Sequence, residues 1–474
     1  MPPGVNAMDW LTQAQVEQIN DASLDILEQH GIMFEAEFAR TLLLQSGCTQ
    51  GAKADVIRIP RELVAECVAQ APERIRLGSL DGSVIEVGPG SPPLYWTGNA
   101  LSCDDDRAIR PIERADFIDI CRVVQHLDMI HATVGTSLAD YPPYSRDFVG
   151  TRLMAQFTTK HMRPCIYTPT GTVAMREMAQ AVLGSRPLAE CPIVSFGFTA
   201  VSPLRWSEVG LESFRLSSGH GIPMMVNSEP VSGATGPVTP AGALTIANAE
   251  ALAGTVIVQL LEPGRPTIFN LGFAHTLDMR TTVTRTGSPE CALIQSAGAQ
   301  LARFHGMPSA SWSSSESMMA DSQGAYESML MTLSHAIAGV NVIWGAGNLE
   351  STRVMSLAQL VIDDELARMA SRVAAGIEVN EETIARDTII ELGTSAQYLA
   401  SEHTMAHFRE LTEPRLTYTG GREGWEQAGS RSMTEAALEK ARQILAEDAH
   451  ILIDEDTDRE LAAIEERFMR ELVQ

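Results

Sequence analysis

The chain has 474 residues and a formal charge of -25, which opposes binding to nucleic acid or to an anionic membrane, since both need a basic surface. The apolar share of 45% is enough to bury a large core. Seven cysteines, odd in number and without a CxxC pair, read as reduced thiols of a cytoplasmic protein rather than as a disulfide frame.

The start, MPPGVNAMDWLTQAQ, has neither the basic n-region nor the apolar h-region of a signal peptide. No apolar run is expected to reach the ~20 residues of a membrane span. Helical apolar spacing covers 10–31, with Leu11, Val16, Ile19, Leu24, Ile26 and Leu27 on one face. Further helices are expected over 36–46 and 60–69, with Pro60 suited to a first turn. The segments IRLGS and VIEVG flank Asp81-Gly82 and read as a hairpin. Residues 1–92 are therefore read as an N-terminal helical region carrying a small hairpin.

From there short apolar strands alternate with longer helical stretches. The strands are expected at 94–100, 131–137, 165–171, 193–199, 223–229, 266–272, 308–314 and 341–347. The helices are expected at 113–127, 145–160, 172–184, 206–219, 239–261, 288–305, 322–338 and 356–375. Eight such units imply an α/β fold, a (β/α)8 TIM barrel over 93–375. Residues 376–474 form an acidic C-terminal helical tail packing on the barrel, and the last helix, 456–473, reads as mostly a solvated face.

In such a barrel the chemistry sits at the C-terminal ends of the strands. Aromatic residues gather there: Trp96, Tyr141, Tyr144, Tyr167, Phe196, Phe198, Phe269, Phe273, Trp312 and Trp344. Aromatics are only 5% of the chain, so this placement carries information. A ring of aromatic faces is what a quaternary ammonium needs. For any single one of them, barrel-core packing is the commoner role. Strand-end carboxylates are Asp140, Glu229 and Glu316. A pair could act as acid and base, or one could face a cation, whereas Asp140 reads better as a helix cap or ion-pair partner. Cys103-Asp104-Asp105-Asp106 resembles a solvated acidic turn, and no His/Cys spacing fits zinc. His403 lies past the barrel, where a lone histidine is more often structural.

The stretch 229–270 opens with Gly, Ala, Ser, Thr and Pro before a long apolar helix. Thr239 is a candidate N-cap and Pro240 a first helical residue. Gly233, Thr235 and Gly236 would let a bulky group approach the backbone. A tight loop before a well-capped helix is the plainer reading, and the pattern is neither a P-loop nor GxGxxG.

Taken together, ILEQHGIMFE, VIRIPRELVAECVAQAPERIRL, GATGPVTPAGALTIANAEALAGTVIVQLLEPGRP, GSPECALIQSAGAQLARFHGMP, DSQGAYES, LVIDDE, GTSAQYLASEHTMAHFRE and GREGWEQAGS resemble the trimethylamine methyltransferase superfamily. The likeness is closer to its branch without pyrrolysine, which includes glycine betaine methyltransferase. The resemblance implies a (β/α)8 barrel that moves a methyl group from a methylated amine to Co(I) of a corrinoid, cobalamin-like, carried by a cognate partner protein. It implies no tightly bound cofactor and a homo-oligomer, and the residues themselves give no metal site. The stretch corresponding to the pyrrolysine site, SSSESMMADSQG (313–324), holds only standard residues. That favours a quaternary amine, such as glycine betaine or a related betaine, whose leaving group is already a neutral amine. Trp96, Tyr141, Tyr144, Tyr167, Phe198, Phe269, Trp312 and Trp344, with Glu229 or Glu316, would hold the cation. Asn99, Asn227, Asn270 and Ser315, with helix N-termini, would hold a betaine carboxylate. His403 belongs to the family's His-Thr segment.

Two other readings stand beside this one. A barrel lyase or aldolase would need a Schiff-base lysine, a metal or a phosphate loop, and the lysine nearest a strand end, Lys160, is at the wrong end. A non-catalytic betaine-binding protein would keep the aromatic cage and move no methyl group.

Overall fold

The computed structural model describes residues 7–105, 108–394 and 397–473. Eight parallel strands form its centre: β1 Leu94–Thr97, β2 Ile130–Val134, β3 His161–Arg163, β4 Phe196–Thr199, β5 Met224–Asn227, β6 Thr267–Gly272, β7 Ser309–Trp312 and β8 Val342–Ala346. Their order is β3-β2-β1-β8-β7-β6-β5-β4. The barrel closes between β3 and the residues before β4, where Met162 N donates to Ile193 O at 3.0 Å and Ser195 N to Met162 O at 3.1 Å. The (β/α)8 architecture expected from the alternation is the one observed.

The eight barrel helices are α1 Arg114–Gln125, α2 Arg146–Phe157, α3 Pro169–Leu183, α4 Glu208–Leu216, α5 Pro240–Leu261, α6 Pro289–Phe304, α7 Ser322–Ile337 and α8 Leu357–Ala374. Several start where a short polar side chain can accept a first-turn N–H. Thr168 caps α3, Ser207 α4, Ser288 α6, Asp321 α7 and Ser356 α8. Thr239 holds the N-cap position of α5 with Pro240 next, but its side chain makes no capping bond.

One strand differs from expectation. The sequence points to 165–171, whereas β3 is His161–Arg163 and α3 already begins at Pro169. Ile166 and Tyr167 have strand-like side chains but sit between Pro164 and Pro169, neither of which can donate to a ladder. Pro60 is the N-cap of the helix Arg61–Gln70 rather than its first residue.

The interior of the barrel holds Trp96, Ala132, Val134, Met225, Ile268, Phe273, Ala310, Trp312, Val342 and Trp344. The N-terminal hairpin, Ile75–Gly78 with Val84–Val87, contributes Ile75, Leu77 and Val87 to this same cluster. The Gly78 carbonyl meets His161 Nδ1 at 2.9 Å, so the hairpin plugs the end of the barrel where the strands begin.

Helix α5 is long and apolar enough to cross a membrane by length and composition, contrary to the expectation that no such run exists, but 83% of that window is buried. The N-terminal helices Gln13–Asp25 and Arg61–Gln70 pack on its outer side. There Ser23 Oγ donates to Thr245 O and Asn248 Nδ2 to Asn20 Oδ1. A helix enclosed on every side has no polar face to keep. Beside it, Ile32–Phe34 pairs in parallel with Arg205–Trp206, matching Met33 to Arg205.

The tail helix Met433–Ala446 packs on α8 and α1, and Glu455–Val473 on α3 and α2. In the last helix Leu461 and Phe468 are buried, and Asp458 and Glu465 both pair with Arg152, at 3.1 and 3.3 Å. That helix therefore has a core face as well as a solvated one.

Candidate active site at the barrel mouth

Loops leaving the strand ends are tied together in pairs. Ser102–Asp105, after β1, runs parallel to Val354–Met355, after β8. Val231–Ser232, after β5, pairs with His275–Leu277, after β6. Between these rims a cavity of about 430 Å³ opens. Asn99, Val134, Tyr167, Phe198, Thr199 and Asn227 line it, together with Glu229, Phe273, His275, Trp312 and Trp344. Arg163, Cys165 and Gly197 complete its deeper part.

Of the residues singled out from sequence, the structure brings Asn99, Tyr167, Phe198, Asn227, Glu229, Phe273, Trp312 and Trp344 to this cavity. Trp96 lies beneath it, 5.5 Å from Trp344 between ring centroids. Asn270 is buried behind Asn227 and donates to its Oδ1 at 2.9 Å, which orients Asn227.

The others are elsewhere. Phe269 points outward and meets His305 edge-on at 5.2 Å. Tyr141 and Tyr144 flank the entry to α2, where the Tyr141 carbonyl accepts from Arg146 Nε at 2.9 Å. Ser315 Oγ donates to Glu327 at 2.6 Å. Glu316 accepts from Thr286 N, Thr286 Oγ1 and Gly287 N, so it shapes the loop before α6. His403 sits in the tail, 4.4 Å from His407 between ring centroids. Gly233, Thr235 and Gly236 form a half-buried turn above α5 with Gly233 exposed, Gly233 N donating to Gly236 O at 3.0 Å and Thr235 Oγ1 accepting from Val231 N at 2.8 Å. Gly233 has φ +92°, a left-handed conformation that suits glycine.

Asp140 accepts from Arg114 N through both carboxylate oxygens. It thus takes the first N–H of α1 from outside the helix, next to the N-cap Glu113, one of the two bland roles, cap or ion pair, that the sequence leaves open. Lys160 lies before β3 and donates to the Leu127 and Ile130 carbonyls, away from the cavity. Among the described residues no group of three or more His, Cys, Asp or Glu side chains could hold a metal ion.

Arg163, Cys165 and His275 were not singled out as site residues. Arg163 ends β3 and is 5% exposed. Its Nη1 donates to Pro164 O at 2.5 Å and its Nη2 to Gly197 O at 2.9 Å, while its guanidinium carbon stands 5.2 Å from the Trp344 ring centroid. Burial lowers it to about 10, so it stays charged at neutral pH. Cys165 Sγ donates to Gly135 O at 3.0 Å, and burial raises its thiol. His275 Nε2 lies 3.4 Å from Glu229 Oε1. Burial pushes its imidazole down, but the Cys291 sulfur and the Glu229 carboxylate outweigh this and raise it to about 9.

Tyr167 owes its place to Asp147. This buried carboxylate accepts from Tyr167 N at 3.3 Å, Thr168 N at 3.1 Å and Thr168 Oγ1 at 3.1 Å. Burial raises it to about 6, against those hydrogen bonds. Glu250, in the middle of α5, ties the loops after β4 and β5 in the same way. It accepts from Ser202 Oγ at 2.8 Å, Leu204 N at 2.7 Å and Ser228 Oγ at 2.5 Å.

A family model described as trimethylamine methyltransferase (MTTB) matches residues 3–472. The trimethylamine methyltransferase MttB of Desulfitobacterium hafniense is 31% identical over 440 residues, covering 90% of this chain and 87% of that protein. The glycine betaine methyltransferase of the same species is 30% identical over 474 residues, covering 96% and 95%. Among solved structures, the Methanosarcina barkeri monomethylamine methyltransferase (MtmB) superposes with a TM-score of 0.55 at 11% identity, over 92% of this chain and 89% of that one, a likeness that bears on the fold alone.

Proposed function

Since the chain belongs to the trimethylamine methyltransferase family, it is a methyltransferase, and we propose that it demethylates a quaternary amine, glycine betaine or a related betaine, and passes the methyl group to a corrinoid carried by a partner protein. The observation that carries this reading is the cavity itself: Tyr167, Phe198, Phe273, Trp312 and Trp344 line it with the carboxylate of Glu229 at its rim. Aromatic faces and one carboxylate suit a methylated ammonium, which offers no N–H to donate. The sequence is made of standard residues, so no pyrrolysine activates a tertiary amine. A quaternary amine leaves as a neutral amine and needs no proton from the protein.

The Co(I) corrinoid supplies the nucleophile when its carrier docks. The protein's own work is then positioning. The aromatic side chains and Glu229 orient one N–methyl bond toward the open mouth, and the hairpin-plugged floor admits no approach from below. The small-residue turn Gly233–Gly236 at the rim suits close approach of a bulky ring. On this reading the protein works in the cytoplasm, as a homo-oligomer, with no tightly bound cofactor of its own.

The test mixes purified protein, Co(I) cobalamin and a panel of methylated amines and follows the corrinoid absorbance. Methyl transfer from glycine betaine and none from trimethylamine is the expected result. Betaine binding by calorimetry without any transfer would favour a non-catalytic binding protein instead.

A further inference from the structure

The cavity contains a cation of its own. Arg163 is buried, and the groups around it include the Pro164 and Gly197 carbonyls, the Trp344 ring, the Cys165 thiol and the His161 imidazole; among the described residues no carboxylate pairs with it. Glu229, the carboxylate on the cavity wall, is paired with His275 instead. An uncompensated buried guanidinium is costly. The fold makes room for it all the same: a Cβ on Gly197 would stand 2.7 Å from Arg163 Nη2 and 2.6 Å from Met225 O.

The donors around it are also in excess. Arg163 Nε, Trp312 Nε1 and Trp344 Nε1 are all buried without a hydrogen-bond partner, and all three side chains line the cavity. The nearby carbonyls of Pro164 and Gly197 are already taken by the guanidinium. Unpaired buried donors each carry a desolvation penalty. Three such donors on the lining of one cavity, beside a buried positive charge, are groups whose hydrogen bonds a small oxyanion would accept.

We propose that Arg163, with the indole N–H groups of Trp312 and Trp344, recognises the carboxylate of a zwitterionic substrate and so selects betaines over quaternary amines with uncharged tails, such as choline. This rests on reading the cavity as a quaternary-amine site. The methylated ammonium then lies toward Phe198, Tyr167 and Glu229, and the carboxylate toward the buried guanidinium. The two ends of the zwitterion meet groups of opposite sign, which fixes which end faces the mouth. A purely structural Arg163, holding β3 to β4 through the Gly197 carbonyl, would not distinguish one ligand tail from another.

The experiment is calorimetric titration of the full-length protein with glycine betaine and with tetramethylammonium, plus acetate titration followed by tryptophan fluorescence. In the wild type, glycine betaine is expected to bind more tightly than tetramethylammonium, and acetate to perturb the indoles and compete with betaine. Arg163→Gln should weaken betaine about 100-fold, the loss of a charge-assisted contact, and leave tetramethylammonium nearly unchanged. Arg163→Lys should recover part of the affinity, because the charge returns without the fork. Equal loss of both ligands in Arg163→Gln would overturn the proposal. If that variant does not fold, the wild type decides alone: betaine and tetramethylammonium bound alike, with no response to acetate, sinks the oxyanion site and leaves the quaternary-amine reading standing. Acetate bound with neither glycine betaine nor tetramethylammonium overturns the betaine assignment together with the quaternary-amine reading and leaves only an oxyanion site.

Discussion

His275 Nε2 and Glu229 Oε1 face each other at 3.4 Å on the rim of the barrel cavity, and the imidazole, 5% exposed, is raised to about 9. A histidine raised in the folded state stabilises it fully below its unfolded value of 6.5, and that stabilisation is lost as pH rises through about 9. The gap in unfolding free energy between wild type and His275→Gln should therefore be widest near pH 6, at roughly 3 kcal/mol, and shrink toward pH 9.5. Urea denaturation across that range measures it. A gap that does not move with pH would show that the pair is uncharged. Tetramethylammonium affinity should rise over the same interval, as Glu229 loses its competing partner.

Gly171 lies against Asp147, and a Cβ there would stand 1.9 Å from Asp147 Oδ2. Gly171→Ala should displace the carboxylate and release the Tyr167 loop that it holds. We expect a fall in kcat/KM of up to about 100-fold, the scale of a misplaced binding group, with a stability loss of about 1–3 kcal/mol. Steady-state kinetics with thermal melts would separate the two. Normal kinetics in a folded variant would mean that Tyr167 does not depend on Asp147.

Glu250 gathers three donors from the loops after β4 and β5. Glu250→Ala leaves all three without an acceptor inside the fold and should cost about 3–5 kcal/mol. A matching drop in urea midpoint is expected. A loss below about 1 kcal/mol would mean that water replaces the carboxylate there.

The rim turn gives a prediction about exchange with the partner. Gly233 has φ +92°, and its Cβ would stand 3.2 Å from Met279 Sδ on an exposed surface. Gly233→Val together with Gly236→Val should slow methyl transfer to the corrinoid while glycine betaine affinity and the circular dichroism spectrum hold. Unchanged transfer would remove this turn from the mechanism.

The rhythm of the barrel was legible because each unit repeats the same demand: a short buried strand, a turn, and a helix with a capping residue at its start. Where legibility failed, the cause was local. β3 is three residues long, and the side chains that it sends inward are His161 and Arg163, which apolar alternation does not select. The stretch Cys165–Tyr167 looks more like a strand than the strand does, and that slip hid Arg163, the charge on which the proposed selectivity rests. Phe269 shows a second limit. Its neighbours Ile268 and Asn270 face into the barrel, so period-two parity sends it outward to His305. Parity is readable once the strand is fixed. Glu316 could not have been placed this way, because its partners are backbone N–H groups of a loop whose path depends on the whole rim.

The parallel pairing of Ile32–Phe34 with Arg205–Trp206 sets an order on how the molecule can be made. A ribosome releases the amino-terminal helices first, yet their strand partner follows only after β4, and α5, the surface they cover, comes later still. β1 must in turn wait for β8 to close the ring. The earliest segments to emerge therefore spend much of synthesis with their apolar faces uncovered. Lasting cover for those faces is therefore expected only late in synthesis, once α5 has emerged.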